Sequence, residues 1–218
     1  MKTSTERIVE VLIVRYPELK SLRKDILLTV NMIINMYNQD GKLLVCGNGG
    51  SASDSLHIVG ELMKNFSISR GLNEEFKQKI FESLDKNDAN YLAKNLQESI
   101  QAISLVSETA FITAYSNDDN PELIFAQQVY GYGRKEDILF AISTSGNSSN
   151  VINAAKIAKL KNIKVVSLTG NDGGKLKLLS DININVNNTK TYEIQEYHLP
   201  IYHTICMAVE NELFGSEK

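Results

Sequence analysis

The sequence contains no tryptophan, two cysteines, three prolines and three histidines. Each scarcity narrows the reading. Cys46 and Cys206 are far apart and show no CxxC spacing. Two buried thiols in a reducing compartment are expected. Only His57, His198 and His203 are available for any chemistry that needs imidazole. Three prolines and 22% charged residues against 43% hydrophobic ones do not describe a disordered chain. Charge of one sign is not in excess: the formal net charge is −3. No global basic surplus points to nucleic acid or an anionic membrane, and neither partner is expected. Long apolar runs are missing as well, and no stretch approaches the roughly 20 residues of a spanning helix. The N-terminal segment MKTSTERIVEVLIVRYPEL is interrupted by Glu6, Arg7, Glu10 and Arg15. It does not read as a signal peptide, so a cytoplasmic protein is expected.

The 218 residues lie between one and two domains on a prior of roughly 150 residues per domain. Residues 4–38 carry apolar positions at helical spacing, and Pro17 divides them. Asp40-Gly41 is a stop signal. From residue 42 onward, apolar runs alternate with helical patterns. The runs are KLLVC (42–46), AISLV (102–106), DILFAIS (137–143), KVVSL (164–168) and DININV (181–186). Helices are expected over 52–65, 123–132, 151–161 and 193–214, with a polar turn at 116–121. Continuous apolar strands separated by helices predict an α/β fold with a parallel sheet covered on both faces. Residues 70–100 differ: they are polar and charged, with amphipathic stripes at Phe76, Ile80 and Leu84 and at Leu92 and Leu96. Two exposed or partner-packed helices joined around 85–90 are expected there. A single domain is predicted, with an N-terminal helical segment over 1–40 and this helical insertion.

Three strands end in small, polar, glycine-rich turns: Gly47–Ser51 (GNGGS), Ser143–Ser148 (STSGNS) and Thr169–Gly174 (TGNDGG). Beyond the carboxyl ends of parallel strands is where such sheets bind ligands. Glycines allow close backbone approach, and helix-start amides and hydroxyls donate to anions. Four hydroxyls in six residues at 143–148 suit a phosphate monoester. The first loop has no lysine after its glycines, so it is not a Walker A loop, and its spacing does not match GxGxxG. Tight βα turns without a ligand are the plainer reading of the third loop. His57 and Glu61 are four apart and share one face of the helix after the first loop. Gln195 and His203 lie eight apart in the last helix, with Pro200 between them. His198 reads as a packing residue.

The segments LLVCGNGGSASDSLHIVGEL, AISTSGNSSNV and VVSLTGNDGG resemble the sugar isomerase (SIS) domain. Together with IQEYHLPIYH they resemble the phosphoheptose isomerases, also called sedoheptulose-7-phosphate isomerases. The resemblance implies a five-stranded parallel sheet between helical layers and a homotetramer with sites at subunit contacts. It implies interconversion of sedoheptulose 7-phosphate and D-glycero-D-manno-heptose 7-phosphate, feeding heptose synthesis for lipopolysaccharide or capsule. By matching position, Asn48, Gly49, Gly50, Ser51, Glu61, Asn117, Asp118 and Gln195 would contact the sugar. Ser143, Thr144, Ser145 and Ser148 would hold its phosphate. His57, Glu61, Gln195 and His203 would hold zinc, and Glu61 and His203 would form the acid/base pair. The insertion and Pro200 depart from the family pattern, and Pro200 is expected to shift the helix start. A non-catalytic SIS protein, binding a replication initiator or sensing a sugar phosphate, is the competing function. So is an isomerase for another phosphosugar. Retention of Glu61 and His203 favours the enzyme.

Overall fold

The computed structural model describes residues 1–216. The helices are α1 (Thr3–Arg15), α2 (Arg23–Asn38), α3 (Gly50–Met63), α4 (Glu74–Ser83), α5 (Lys86–Asn95), α6 (Thr109–Asp118), α7 (Ile124–Tyr132), α8 (Ser149–Leu160), α9 (Gly174–Lys177) and α10 (Thr191–Phe214). The strands are β1 (Leu43–Cys46), β2 (Ala102–Ser104), β3 (Ile138–Ser143), β4 (Lys164–Gly170) and β5 (Ile182–Val186). All five are parallel, in the order β2-β1-β3-β4-β5. Every residue of β1 and β3 is buried, because helices cover both faces and leave no polar side to the pleat. One face packs Leu43, Val45, Phe140, Val166 and Ile184 against α1, α2, α3 and α10. The other packs Leu44, Leu139, Ala141 and Val165 against α7 and α8.

The expected five-stranded α/β fold is present, and three local features differ from the sequence reading. Residues 116–118 are not a turn: they close α6, which runs from Thr109 to Asp118. No residue of α6 is fully buried; its short stripe of Phe111, Ile112 and Tyr115 ends before the polar residues 116–118, which read as a turn. Pro200 does not move the start of α10. The helix begins at Thr191 and carries Pro200 in its interior. The buried face of Ile194, Ile201, Tyr202, Ile205 and Val209 outweighs the roughly 3 kcal/mol an interior proline costs. β4 extends to Gly170, two residues into the third glycine-rich turn. The insertion does form two helices, α4 and α5, capped by the Asn73 and Asp85 side chains and closed on a small cluster of Leu72, Ile80 and Ala89. Among the described residues, no helix is long and apolar enough to cross a membrane. Both cysteines are buried and unpaired, and burial pushes each thiol up to about 12.

His198 packs, as its sequence context suggests. It is fully buried on α10. Its Nε2 lies 3.4 Å from the Thr169 carbonyl and its Nδ1 has no partner among the described residues. Burial holds the imidazole down to about 4 against the carbonyl's opposing pull. The folded value lies below the ordinary 6.5, so the unfolded chain takes up the proton first. Stability is unaffected above pH 6.5 and falls as pH drops toward 4, by about 3 kcal/mol in total. Urea unfolding at pH 7 and pH 4 is expected to show an acid loss smaller by that amount in His198→Asn. Equal losses in both proteins would refute this origin of acid sensitivity.

Candidate active site

With this strand order the topological switch lies between β1 and β3, where the chain departs to opposite sides. The loops that follow these two strands border a cleft of about 310 Å³. Asn48, Gly49, Gly50, Ser51, Ser143, Thr144, Ser148, Thr191 and Gln195 line it. Two helices begin at the cleft. Gly49 caps α3 with φ +57°, a left-handed conformation that glycine adopts without strain. Ser148 caps α8, and its hydroxyl makes no capping bond to the helix. That hydroxyl lies 3.1 Å from Ser143 Oγ. The positive ends of α3 and α8, with the Ser143 and Ser148 hydroxyls between them, are suited to an anion such as a phosphate.

The cleft is braced from two sides. The Asn48 and Asn150 carboxamides pair reciprocally, at 2.8 and 3.0 Å, tying the first glycine loop to the start of α8. Gln195 reaches from α10 over Gly50 so closely that a Cβ at Gly50 would collide with its amide. Gly50 is thus the residue that lets the loop and α10 share this wall.

Two turns further along α3, a second group of polar side chains meets α10. His57 Nε2 lies 3.3 Å from Glu61 Oε1 and 3.4 Å from His203 Nε2. The His57 and His203 rings stand edge to face with centroids 4.8 Å apart. Lys64 Nζ takes the other Glu61 oxygen at 2.9 Å. His57 Nδ1 is 2.9 Å from the Tyr202 hydroxyl. Burial and the neighbouring His57 push His203 below the usual imidazole value, and Glu61 pulls it back. This setting favours the neutral imidazole of His203.

The segment after α3 is held by a buried ion pair. Arg70 and Glu210 are both fully buried, with Nε and Oε1 2.7 Å apart. The Arg70 guanidinium also donates to the carbonyls of Leu62 (2.7 Å) and Glu61 (3.1 Å) at the end of α3. Glu210 collects the backbone N–H groups of Phe66, Ser67 and Ile68 and the Ser67 hydroxyl. Burial alone would raise the Glu210 carboxyl. The bonds from Ser67, Phe66 and Arg70 outweigh it and leave the group below its ordinary value. The backbone beneath Glu61 is fixed by this arrangement.

A zinc ion suits the donor types at the His57 cluster. Ligands of a tetrahedral zinc with bonds of about 2.0–2.1 Å stand about 3.3 Å apart, close to the two separations around His57. The fit is one of pairs that share His57. Among the described residues, no group of three or more His, Cys, Asp or Glu side chains is closed into a metal cage. Gln195 is not at this cluster. It lies over Gly50, eight residues before His203, or about 12 Å along a helix.

The structure thus brings together Asn48, Gly49, Gly50, Ser51, Ser143, Thr144, Ser148 and Gln195 in one place and His57, Glu61 and His203 in another. Ser145 does not line the cleft; its Oγ accepts the Asn147 N–H within its own loop. Asn117 and Asp118 lie exposed at the end of α6, bonded to each other at 2.8 Å, and do not line the cleft either. Sequence reasoning missed Asn150, Lys64, Arg70, Glu210 and Tyr202. Lys64 lies one turn after Glu61, so i,i+3 spacing was a usable signal. The others act across long sequence separations that spacing does not report.

The SIS domain profile matches residues 101–205. The chain is 38% identical over 192 residues to the phosphoheptose isomerase of Helicobacter pylori strain P12, covering 88% of this chain and 86% of that protein. It is 37% identical to the phosphoheptose isomerase of Crocosphaera subtropica, with 86% and 82% covered. Among solved structures it resembles phosphoheptose isomerase GmhA from Neisseria gonorrhoeae, with TM-score 0.72, 30% identity and coverage of 93% and 94%. The Francisella tularensis phosphoheptose isomerase gives TM-score 0.71 at 30% identity, with 86% of each chain covered.

Proposed function

The chain belongs to the phosphoheptose isomerase family of sugar-phosphate isomerases, and on that premise we propose that it converts sedoheptulose 7-phosphate into D-glycero-D-manno-heptose 7-phosphate. One observation carries the reading: an anion-binding cleft and a His–Glu–His cluster lie at two levels of the same helix, α3. Gly50 and His57 are seven residues apart, about 10 Å along a helix. A sugar phosphate of several carbons spans that interval, with its phosphate between the starts of α3 and α8 and its carbonyl end near Glu61.

The residues divide the work by chemistry. Ser143, Thr144 and Ser148 hold the phosphate with the two helix starts. Gln195 and the Asn48–Gly50 loop orient the hydroxyls between the two ends. Glu61, as carboxylate, removes the C1 proton of the ketose to give a cis-enediolate and, after that proton has exchanged with solvent, protonates C2. His203, favoured in its neutral form, passes the second proton between the C1 and C2 oxygens. A zinc ion held by His57, Glu61 and His203 would polarise the carbonyl when bound.

A homotetramer is part of this proposal. Val11 and Leu199 are exposed on the α1–α10 face, and a groove there also reaches His203. Covering this face with a second subunit would complete the wall beside His203. A cytoplasmic place in heptose supply for lipopolysaccharide or capsule completes the reading. The test is turnover of ketose phosphates of five, six and seven carbons, followed by NMR of the aldose product. The seven-carbon ketose is expected to give the highest kcat/KM. A clear preference for a shorter sugar would contradict the substrate, and no turnover of any would contradict the activity.

A further inference from the structure

We infer that Asn147 is a positioning residue that locks the phosphate loop, Ser143–Ser148, onto the third glycine-rich turn and so holds the loop's carbonyl oxygens off the anion. The inference rests on the reading of the cleft between α3 and α8 as the phosphate seat. It gives work to two features which that reading leaves idle. The turn Thr169–Gly174 does not line the cleft, and neither does Asn147. A loop that receives an anion has to turn N–H and O–H groups toward it. Its carbonyl oxygens carry the opposite partial charge and have to be taken up elsewhere.

Every carbonyl from Ser143 to Gly146 is taken up in this way. The Ser143 carbonyl accepts the Gly146 N–H within the loop, at 3.0 Å. The Thr144 carbonyl accepts the Gly170 N–H at the end of β4, and the Gly146 carbonyl accepts the Leu176 N–H of α9, each at 3.0 Å. These three bonds join backbone to backbone. The Ser145 carbonyl differs, because its donor is a side chain: the Asn147 amide Nδ2, at 2.9 Å. Asn147 Oδ1 in turn accepts the Lys175 N–H of α9 at 3.2 Å. Its own backbone N–H goes to Ser145 Oγ at 3.1 Å. A carboxamide has both a donor and an acceptor end, and here one end closes the phosphate loop while the other ties it to α9.

The two turns also press together where only glycine fits. A Cβ at Gly146 would strike the Gly173 carbonyl, and one at Gly174 would strike the Ser145 carbonyl and the Asn147 amide. The contact is therefore tight at the one carbonyl that depends on a side chain. Asn147 itself is exposed, so truncating it opens no cavity in the core. Its loss releases the Ser145 carbonyl to turn. The flanking Thr144 and Ser148, which do line the cleft, then lose their fixed bearing on the anion.

The test is calorimetric titration of the full-length protein with inorganic phosphate and with sedoheptulose 7-phosphate, beside steady-state kinetics and thermal unfolding. Asn147→Ala is expected to weaken both ligands by the same factor, about tenfold, the scale of one hydrogen bond. kcat/KM is expected to fall by that factor through KM, with the thermal midpoint nearly unchanged. A contact that served only the fold would move the midpoint and leave phosphate affinity alone. Gly174→Ala disturbs the same contact from the other turn and is expected to weaken phosphate as well. Unchanged phosphate affinity in folded Asn147→Ala, or a loss confined to kcat, would overturn the inference. If Asn147→Ala does not fold, unchanged affinity in Gly174→Ala would overturn it. Wild-type protein that binds phosphate and turns over no ketose phosphate would overturn the isomerase reading and leave the phosphate-loop result standing.

Discussion

Glu61→Gln is expected to lower isomerase turnover by about a thousandfold, within the 10²–10⁴ that a positioned acid/base group contributes. The amide keeps the shape of the side chain and has no basic lone pair for the C1 proton. The cleft lined by Ser143, Thr144, Ser148 and Gln195 does not include Glu61. Sugar-phosphate affinity is therefore expected to change little, and the loss to appear in kcat. The fold should survive, because the ion pairs removed, to Lys64 and His57, are with partly exposed partners and contribute at most about 1 kcal/mol each. Steady-state kinetics beside a calorimetric binding measurement separates the two effects. Full turnover in the variant would remove Glu61 from the mechanism, and loss of affinity with kcat intact would reassign it to binding.

The largest stability effect is expected at Glu210. Glu210→Ala leaves the Arg70 guanidinium buried without its counter-ion and strips the acceptor from three backbone N–H groups and one hydroxyl. Breaking one side of a buried pair costs about 3–5 kcal/mol. The effect should reach activity as well, because Arg70 holds the carbonyls of Glu61 and Leu62. Chemical denaturation is expected to show a loss of this size, with kcat reduced at temperatures where the variant remains folded. Arg70→Lys should fall between the two proteins, since an ammonium restores charge and not the planar fork. A loss under 1 kcal/mol in Glu210→Ala would show that the pair does not hold the end of α3.

The two levels of the site differ in how far the sequence discloses them. KLLVC and DILFAIS read as buried strands because parallel strands covered on both faces lose the alternation that marks a half-exposed one. The glycine and hydroxyl turns after them were legible for the same reason, since a strand end followed by a helix start has a known place at the ligand-binding edge. His57 and Glu61 announced themselves by i,i+4 spacing. His203 could be joined to them only by α3 and α10 running side by side, a consequence of packing. Asn150, Arg70 and Glu210 pair with groups 8 to 144 residues away, and no local pattern encodes such meetings. Tyr202 is hidden in another way. On an apolar helix face an aromatic residue reads as core, and its ring is core, while its hydroxyl does the polar work. The last turn of α6 was missed because its residues 116–118 are polar and look like the loop that follows.

The central claim is that this chain moves a carbonyl along a heptose phosphate by proton transfer at Glu61. The most direct test is reaction of sedoheptulose 7-phosphate in deuterated water with the wild-type protein, read by NMR of the aldose. The account predicts deuterium at C2 of the product, carried there when the enediolate is reprotonated. Aldose formed with hydrogen retained at C2, at a rate that Glu61→Gln leaves unchanged, would indicate direct transfer from C1 and would contradict the role assigned to Glu61.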